Sequence, residues 1–193
     1  QPAPLSMTVT TTDALCHGEA SGTVTVIPSG GTPGYNIDIG FLNNANALDS
    51  GIYLVTLTDA NGCFIIDTFV ISEPPALVID SVTTTLVSCS NFPQSNDGSI
   101  TIHASGGTPS YIYKYGTTTQ AIPTFNNLAL GSYTIIVEDA NGCDDTALNI
   151  FIGAIPPLVA SVSLINPISC FGVDDGALAS IVSGGTPPYS SHW

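Results

Sequence analysis

Apolar and polar residues alternate over short segments of this chain, and Gly, Pro and Asn separate the segments. The alternation is clearest in residues 23–27 (Thr-Val-Thr-Val-Ile) and 99–103 (Ser-Ile-Thr-Ile-His). A period of two residues is typical of β-strands with one buried face. The pattern predicts six or seven short strands in each repeat of the chain. The other supporting segments are residues 7–12, 35–39, 53–58, 65–71 and 133–138.

The same motifs return in the same order about every 80 residues, twice in full and once in part. Each copy has an opening cysteine, a Gly-centred turn and then Ser-Gly-Gly-Thr-Pro-x-Tyr. The full copies continue with Leu-x-x-Gly-x-Tyr and Asp-Ala-Asn-Gly-Cys, and they end at a Pro-rich joint. The motifs predict the joint of a preceding repeat (residues 1–5), two β-sandwich repeats (6–75 and 76–157) and an incomplete third repeat (158–193).

Strand number and repeat length predict an all-β fold of tandem immunoglobulin-like (PKD-like) β-sandwich repeats. A parallel β-solenoid is the competing fold, but its repeats are far shorter. The Leu-x-x-Gly-x-Tyr motif supports the sandwich, because a Tyr at the start of the sixth strand can turn its hydroxyl back to the preceding corner. We assign this tyrosine corner to Tyr53 and Tyr133.

The charge of the chain excludes several functions. Lys114 is the only Lys or Arg, against fifteen Asp and Glu, so the formal net charge is −14. This charge excludes nucleic-acid binding and disfavours docking on anionic lipid. No apolar run approaches the roughly 18 residues of a membrane-spanning helix, so we expect no direct membrane insertion.

Together, the opening cysteine and the Ser-Gly-Gly-Thr-Pro-x-Tyr, Leu-x-x-Gly-x-Tyr and Asp-Ala-Asn-Gly-Cys motifs resemble the SprB-type repeat of very large surface proteins in gliding bacteria. The resemblance covers nearly the whole chain. It implies a secreted adhesin or filament at the surface of a Gram-negative bacterium, used in cell adhesion and gliding motility. The implied partners are neighbouring repeats and other copies, while the ligand, a surface polysaccharide or another cell-surface molecule, stays open. We expect residues 1–193 to be an interior part of a much longer array.

The resemblance also bears on the cysteines, because export favours oxidation and small repeats need covalent staples. Both cysteines recur in each full repeat, so we predict the disulfides Cys16–Cys63 and Cys89–Cys143. One geometric objection exists. In a standard sandwich the loops with these cysteines lie at opposite ends, beyond the roughly 7 Å Cα separation that a disulfide tolerates.

Glycosylation is expected to be O-linked, since the chain has no Asn-x-Ser/Thr acceptor. The resemblance to proteins of gliding bacteria implies acceptors of the type Asp-Ser/Thr followed by a small apolar residue. In this sequence the acceptors are Ser81 and Thr146.

Three motifs have both a chemical and a structural interpretation. Ser-Gly-Gly-Thr-Pro lacks the ending of a phosphate-binding loop and is predicted to be a turn. The tyrosines of residues 111–115 share one strand face, as a sugar-stacking platform or as core, and the equivalent first-repeat residues favour core. Asp59 and Asp139 are weak candidates for a calcium site, which needs several oxygen ligands. An Asn-Gly hairpin turn explains these two residues without a metal.

No catalytic constellation returns with the repeat. His17, His103 and His192 occupy non-equivalent positions, and no Ser-His-Asp or Cys-His set recurs. We therefore expect no enzyme activity and no cofactor. The first hypothesis is the structural and adhesive repeat region of a long surface adhesin, stiffened by Pro-Pro joints. The alternative is a glycan-binding or spacer module of a secreted multidomain enzyme.

Overall fold

The computed structural model describes residues 2–40, 45–88 and 95–192, so Cys89 and Trp193 lie outside the described residues. All regular secondary structure in these three ranges is β-strand, and the predicted all-β class is confirmed. Within the same ranges, no helix is long and apolar enough to cross a membrane.

The described part of the first repeat contains two small antiparallel sheets. Its strands are β1 Ser6–Thr12, β2 Thr23–Ser29, β3 Asn36–Asp38, β4 Gly51–Thr58 and β5 Phe64–Ile71. β1 pairs with β2 over its whole length, from Ser6 opposite Ser29 to Thr12 opposite Thr23. β4 lies between β3 and β5 in the second sheet.

The second repeat also has two sheets, and the third segment has one. The remaining strands are β6 Val78–Thr85, β7 Gly98–Ser105, β8 Ile112–Tyr115, β9 Thr118–Gln120, β10 Thr124–Leu128, β11 Gly131–Glu138, β12 Asp144–Ile152, β13 Val159–Asn166 and β14 Ala177–Ser183. One sheet has the order β10-β7-β6, another has the order β12-β11-β8-β9, and β13 pairs with β14. The predicted strand number of six or seven is thus found in the second repeat.

The position of the core in the first repeat follows from the alternation of buried and exposed side chains along its strands. β4 buries Val55 and Leu57, whereas Ile52 and Leu54 point to solvent. The core lies between the two sheets and gives this repeat its sandwich architecture. The buried residues of this core are Val24, Leu48, Val55, Phe69 and Ile71, with Met7 and Val9 of β1 packed against them.

The structure forms two compact units. One consists of Gln1–Asp80, Ala104–Ala121 and Ile136–Thr146, and the other of Ser81–His103, Ile122–Ile135 and Ala147–Trp193. The boundaries of the repeats at 1–5, 6–75, 76–157 and 158–193 remain predictions from the motifs.

The third segment has strands but little core. Residues 177–182 belong to β14, which pairs antiparallel with β13, and every residue of β13 is exposed. In the first repeat, the equivalent pair β1 and β2 is covered by β4 and β5. The residues described for the third segment provide no such cover.

Two leucines of β4 test this account of the fold. Leu57 is fully buried and Leu54 is 54% exposed. We expect Leu57→Ala to lower the free energy of unfolding by about 2–5 kcal/mol, because it leaves a cavity in the core. The matched control Leu54→Ala should stay within about 0.5 kcal/mol of the wild type. Urea titration measures both values, and equal losses would contradict the assigned faces of β4.

Candidate functional site, the joint between repeats

Each Ser-Gly-Gly-Thr-Pro loop packs its backbone directly against the Pro-rich joint that precedes its repeat. In the second repeat, Gly106 and Gly107 have φ angles of 78° and 58°. A Cβ atom on Gly106 would lie 1.8 Å from the carbonyl oxygen of Ala76. Glycine is therefore required for the left-handed backbone and for the close approach. The equivalent Cβ distances are 1.8 Å from Gly30 to Pro4 O and 2.1 Å from Gly184 to Pro157 O.

Two hydrogen bonds of each loop fix this approach. The N–H of Gly107 donates to the carbonyl of Pro75 at 2.8 Å, and the hydroxyl of Tyr111 donates to the carbonyl of Gly106 at 2.6 Å. All three repeats share both bonds. In the first and third repeats, the equivalent bonds run from Gly31 N–H to Ala3 O, from Gly185 N–H to Pro156 O, from the Tyr35 hydroxyl to Gly30 O and from the Tyr189 hydroxyl to Gly184 O. The loop is a structural turn, in agreement with its predicted role.

The buried Asp139 connects the loop to the Asp-Ala-Asn-Gly-Cys turn. Its Oδ2 accepts the N–H of Thr108 at 2.7 Å. Its Oδ1 accepts the N–H groups of Asn141 and Cys143, both at 2.9 Å. The first repeat has the same arrangement, in which Asp59 accepts the N–H groups of Thr32, Asn61 and Cys63. The two carboxylates thus hold loop and turn together.

Both aspartates ionise more readily than usual. Burial raises the pKa of Asp139, but the N–H groups of Thr108, Cys143, Asn141 and Gly142 outweigh it and hold this pKa below the ordinary value of 3.8. For Asp59, the N–H of Thr32 has the largest effect, and the pKa is again lowered in spite of desolvation. The charged form is the one that binds the backbone.

The turn of the second repeat also contacts the first repeat. Cys143 forms a disulfide with Cys16, with the two Cα atoms 5.7 Å apart. The side-chain amide of Asn141 donates to Thr108 Oγ1 and to the carbonyl of Leu15, both at 2.9 Å. A covalent bond and a hydrogen bond therefore join the two repeats at this turn.

The opening loop that carries Cys16 is tied to the following joint. The N–H of Gly18 donates to Glu73 Oε2 at 2.6 Å, and His17 Nδ1 lies 3.2 Å from Glu73 Oε1. The bond from Gly18 has the largest effect in lowering the pKa of Glu73. Leu15, the residue before the cysteine, donates its N–H to Ser21 Oγ at 2.9 Å. Cys16 is thus presented on a fixed loop.

Both predicted disulfides are wrong, because Cys16 and Cys143 are bonded to each other. Cys63 is a free, exposed thiol, and Cys89 lies outside the described residues. The predicted partners Cys16 and Cys63 are too far apart, because a whole strand separates them. Cys63 lies at the end of the sandwich where β1 begins, and Cys16 follows the other end of β1. The seven residues of β1 span about 20–23 Å. The cysteine of the next repeat is the one within reach.

The tyrosines of the Leu-x-x-Gly-x-Tyr motif bond back to the chain four residues upstream. The hydroxyl of Tyr53 donates to the carbonyl of Asp49 at 2.8 Å, and that of Tyr133 to the carbonyl of Ala129 at 2.7 Å. This is the geometry of a tyrosine corner. Tyr113, from the tyrosine-rich strand β8, is only 6% exposed and belongs to the core.

Ser81, Thr146, Asp59 and Asp139 are the remaining candidate residues. Ser81 and Thr146 are both exposed on strands, and their glycosylation stays a prediction. In the described part of the chain, no three His, Cys, Asp or Glu side chains are grouped so as to hold a metal ion. The carboxylate oxygens of Asp59 and Asp139, the weak calcium candidates, accept backbone N–H groups instead.

The role of Asn141 was not predicted from the sequence. Its amide reaches Leu15 in another repeat, and only the fold brings these two residues together. The available signal was the recurrence of Asn between Asp and Gly in both full repeats. An Asn-Gly turn accounted for that pattern without any further contact.

Tandem copies of small antiparallel sheets, connected by Pro-rich joints, define a β-sandwich repeat protein. The SprB repeat family matches the chain three times, at residues 8–39, 81–114 and 163–193, about half of its length. The chain belongs to the SprB repeat family, as the motifs indicated, and is a repeat region of a cell-surface protein. No curated protein matches the chain.

The lowered pKa of Asp139 predicts how stability depends on pH. Because the folded pKa lies below the unfolded value of 3.8, the carboxylate contributes stability that is complete above about pH 5. This contribution is lost as the pH falls through the folded pKa. We expect Asp139→Asn to be less stable at pH 7 and to show a weaker loss of stability in acid.

Urea unfolding at a series of pH values between about 2 and 7 measures this difference. Asp174→Asn, which changes an exposed carboxylate outside the turns, is the control and should follow the wild-type curve. Parallel curves for Asp139→Asn and the wild type would contradict the role assigned to Asp139.

Proposed function

We propose that this chain is a non-enzymatic, load-bearing stalk segment of a long secreted adhesin or filament on a Gram-negative bacterium, used in cell adhesion and gliding motility. The observation that carries the proposal is the disulfide between Cys16 and Cys143, which bonds the opening loop of one repeat to a turn of the next. A covalent cross-link between successive repeats suits a segment that transmits tension.

The joint restrains the repeats in two parallel ways. The backbone passes from one repeat to the next through Pro74 and Pro75, whose rings fix φ and leave few conformations. The disulfide provides a second covalent path. Under tension, the force passes through the disulfide, and the chain between its two cysteines is shielded.

The recurring polar groups support a structural role. Asp59 and Asp139 use their carboxylates on the backbone of their own repeats. The hydroxyls of Tyr35 and Tyr111 are bonded to glycine carbonyls. Groups that are engaged in this way hold turns together, which favours a stalk over catalysis or cofactor binding.

The partners that suit a stalk are other repeats. Neighbouring repeats of the same chain and further copies in a filament are the expected contacts, and the cell-surface ligand, a polysaccharide or another molecule, binds elsewhere on the parent protein. A net charge of −14 repels nucleic acid. The exposed Ser81 and Thr146 are the proposed sites of O-linked sugars.

Single-molecule pulling from the two chain ends tests the load-bearing role. The disulfide closes a segment with a sequence separation of 127 residues. We expect reduction, or the change Cys16→Ser, to lengthen the fully extended chain by about 420–460 Å, since each residue adds about 3.3–3.6 Å. Cys63→Ser is the control and should extend like the oxidised wild type. Equal lengths with and without reductant would refute the shielding.

A glycan array separates the stalk from the alternative, a glycan-binding module. We expect the purified chain to be silent, because the tyrosine-rich strand β8 is not a free stacking platform. Tyr113 is buried, and the hydroxyl of Tyr111 is hydrogen-bonded to the carbonyl of Gly106. Saturable binding to any one glycan class would favour the alternative over the stalk.

A further inference from the structure

The sheet β3-β4-β5 of the first repeat has a second apolar face, which points away from the core. β4 and β5 pair from Gly51 opposite Ile71 to Thr58 opposite Phe64, and every second side chain points outward. Five outward side chains are apolar and between 54 and 79% exposed. They are Ile52, Leu54, Phe64, Ile66 and Val70. We propose that two copies of this chain pair face to face through this outer face.

The fold does not require apolar residues on the outer face. The second repeat has the same two strands, β11 and β12, and the Gly-x-Tyr and Asn-Gly-Cys motifs align their positions with those of β4 and β5. In place of Ile52, Leu54, Phe64 and Ile66, the second repeat has Ser132, Thr134, Asp144 and Thr146. These four residues are exposed although other repeats precede and follow the second repeat in the sequence. We therefore attribute the apolar residues of the first repeat to a contact between chains.

The composition of β5 is that of a strand with two buried faces. Its sequence, Phe-Ile-Ile-Asp-Thr-Phe-Val-Ile, is apolar at six of its eight positions, whereas a strand with one solvated face alternates apolar and polar residues. Phe69 and Ile71 pack in the core. Phe64 and Ile66 are the same residue types on the opposite side of the strand. A second sheet packed against the outer face at about 10 Å would bury them as the core buries Phe69 and Ile71.

A second copy of the chain is the partner that the charge of the outer face fits. The remaining outward residues of β4 and β5 are Thr56, Thr58 and Thr68, so these two strands present no charged side chain on this face. Asp38 of β3, opposite Thr56, lies at the rim. Since the chain has a net charge of −14, two copies approach most easily where neither presents carboxylates. A two-fold axis brings the uncharged face of each copy onto that of the other.

The area of the outer face determines how strongly the copies pair. At the observed exposures, its five apolar side chains present roughly 600 Å² to water, the upper end of the patches that monomers expose. Two such faces bury about 1,200 Å² in total, the lower end of specific interfaces. We therefore expect a reversible dimer with a dissociation constant on the order of 100 μM. In a dilute urea titration the chain is monomeric, so Leu54→Ala still reports on a single repeat.

Sedimentation equilibrium tests the pairing. The chain is used with its disulfide intact, with free thiols alkylated, and near 0.15 M salt, where the repulsion between acidic chains is screened. We expect the average mass to rise from 19.8 kDa toward twice that value as the concentration increases from about 5 to 500 μM. A four-residue variant places the second repeat's residues on the outer face and should raise the dissociation constant at least about tenfold. Its changes are Ile52→Ser, Leu54→Thr, Phe64→Asp and Ile66→Thr.

Two further variants keep the test decisive. Phe64→Asp alone adds a carboxylate to the interface without changing the core, and it should also weaken the dimer at least about tenfold. The control Val162→Ser with Leu164→Thr removes exposed apolar side chains from β13 instead and should leave dimerisation unchanged. Urea unfolding checks that each variant is folded. A wild type that stays monomeric, outer-face variants that dimerise like the wild type, or association that is lost in the β13 control would overturn the proposal.

Pairing through the outer face extends the proposed function, and rests on it, only in giving the further copies of a filament a place to bind. The two proposals fail separately. A chain that dimerises but extends equally with and without reductant would retain the outer-face contact and lose the load-bearing role. A chain that lengthens on reduction but stays monomeric would do the reverse.

Discussion

A buried carboxylate with three backbone N–H partners holds the joint together. Asp139 accepts hydrogen bonds from the Ser-Gly-Gly-Thr-Pro loop on one side and from the cysteine turn on the other. The loop in turn rests on the proline joint through the N–H of Gly107. The carboxylate of Asp139 therefore connects the joint, the loop and the turn. The orientation of Asn141 and Cys143 depends on this carboxylate. A buried carboxylate without hydrogen bonds would destabilise the fold, so Asp139 can be buried only because the three N–H groups bind it.

The repeats combine two kinds of packing that make different demands on the sequence. Inside each sheet, alternating side chains such as Val55 and Leu57 supply apolar burial, and many residues of similar volume could replace them. At the joint, the contacts involve backbone, so Gly106 cannot gain even a methyl group. Because successive repeats are also bonded through Cys16 and Cys143, the stability of one repeat is coupled to that of its neighbour.

The sequence was sufficient for most of the strands and for the fold class, because both depend on local periodicity. β2, β4, β7 and β11 lie where residues alternate, and the Gly-Gly loops are turns. The sequence alone did not identify the disulfide partner of Cys16. Recurrence shows which cysteines are equivalent, but it contains no information on which end of a sandwich meets which neighbour. The length of β1 argued against Cys16–Cys63, and only the fold identified Cys143 as the partner. The contact of Asn141 with Leu15 was hidden for the same reason.

Lys114 limits where trypsin-like proteases can cleave this chain. It is the only Lys or Arg in 193 residues, and trypsin-like proteases cleave after these residues alone. Lys114 lies in β8, which is paired on both sides by β11 and β9, and its ammonium group forms an ion pair with Glu138. A protease must pull this segment out of the sheet before the peptide fits its cleft, so cleavage waits for local opening. In surroundings rich in such proteases, this stretch of chain would present them with a single bond that the sheet protects.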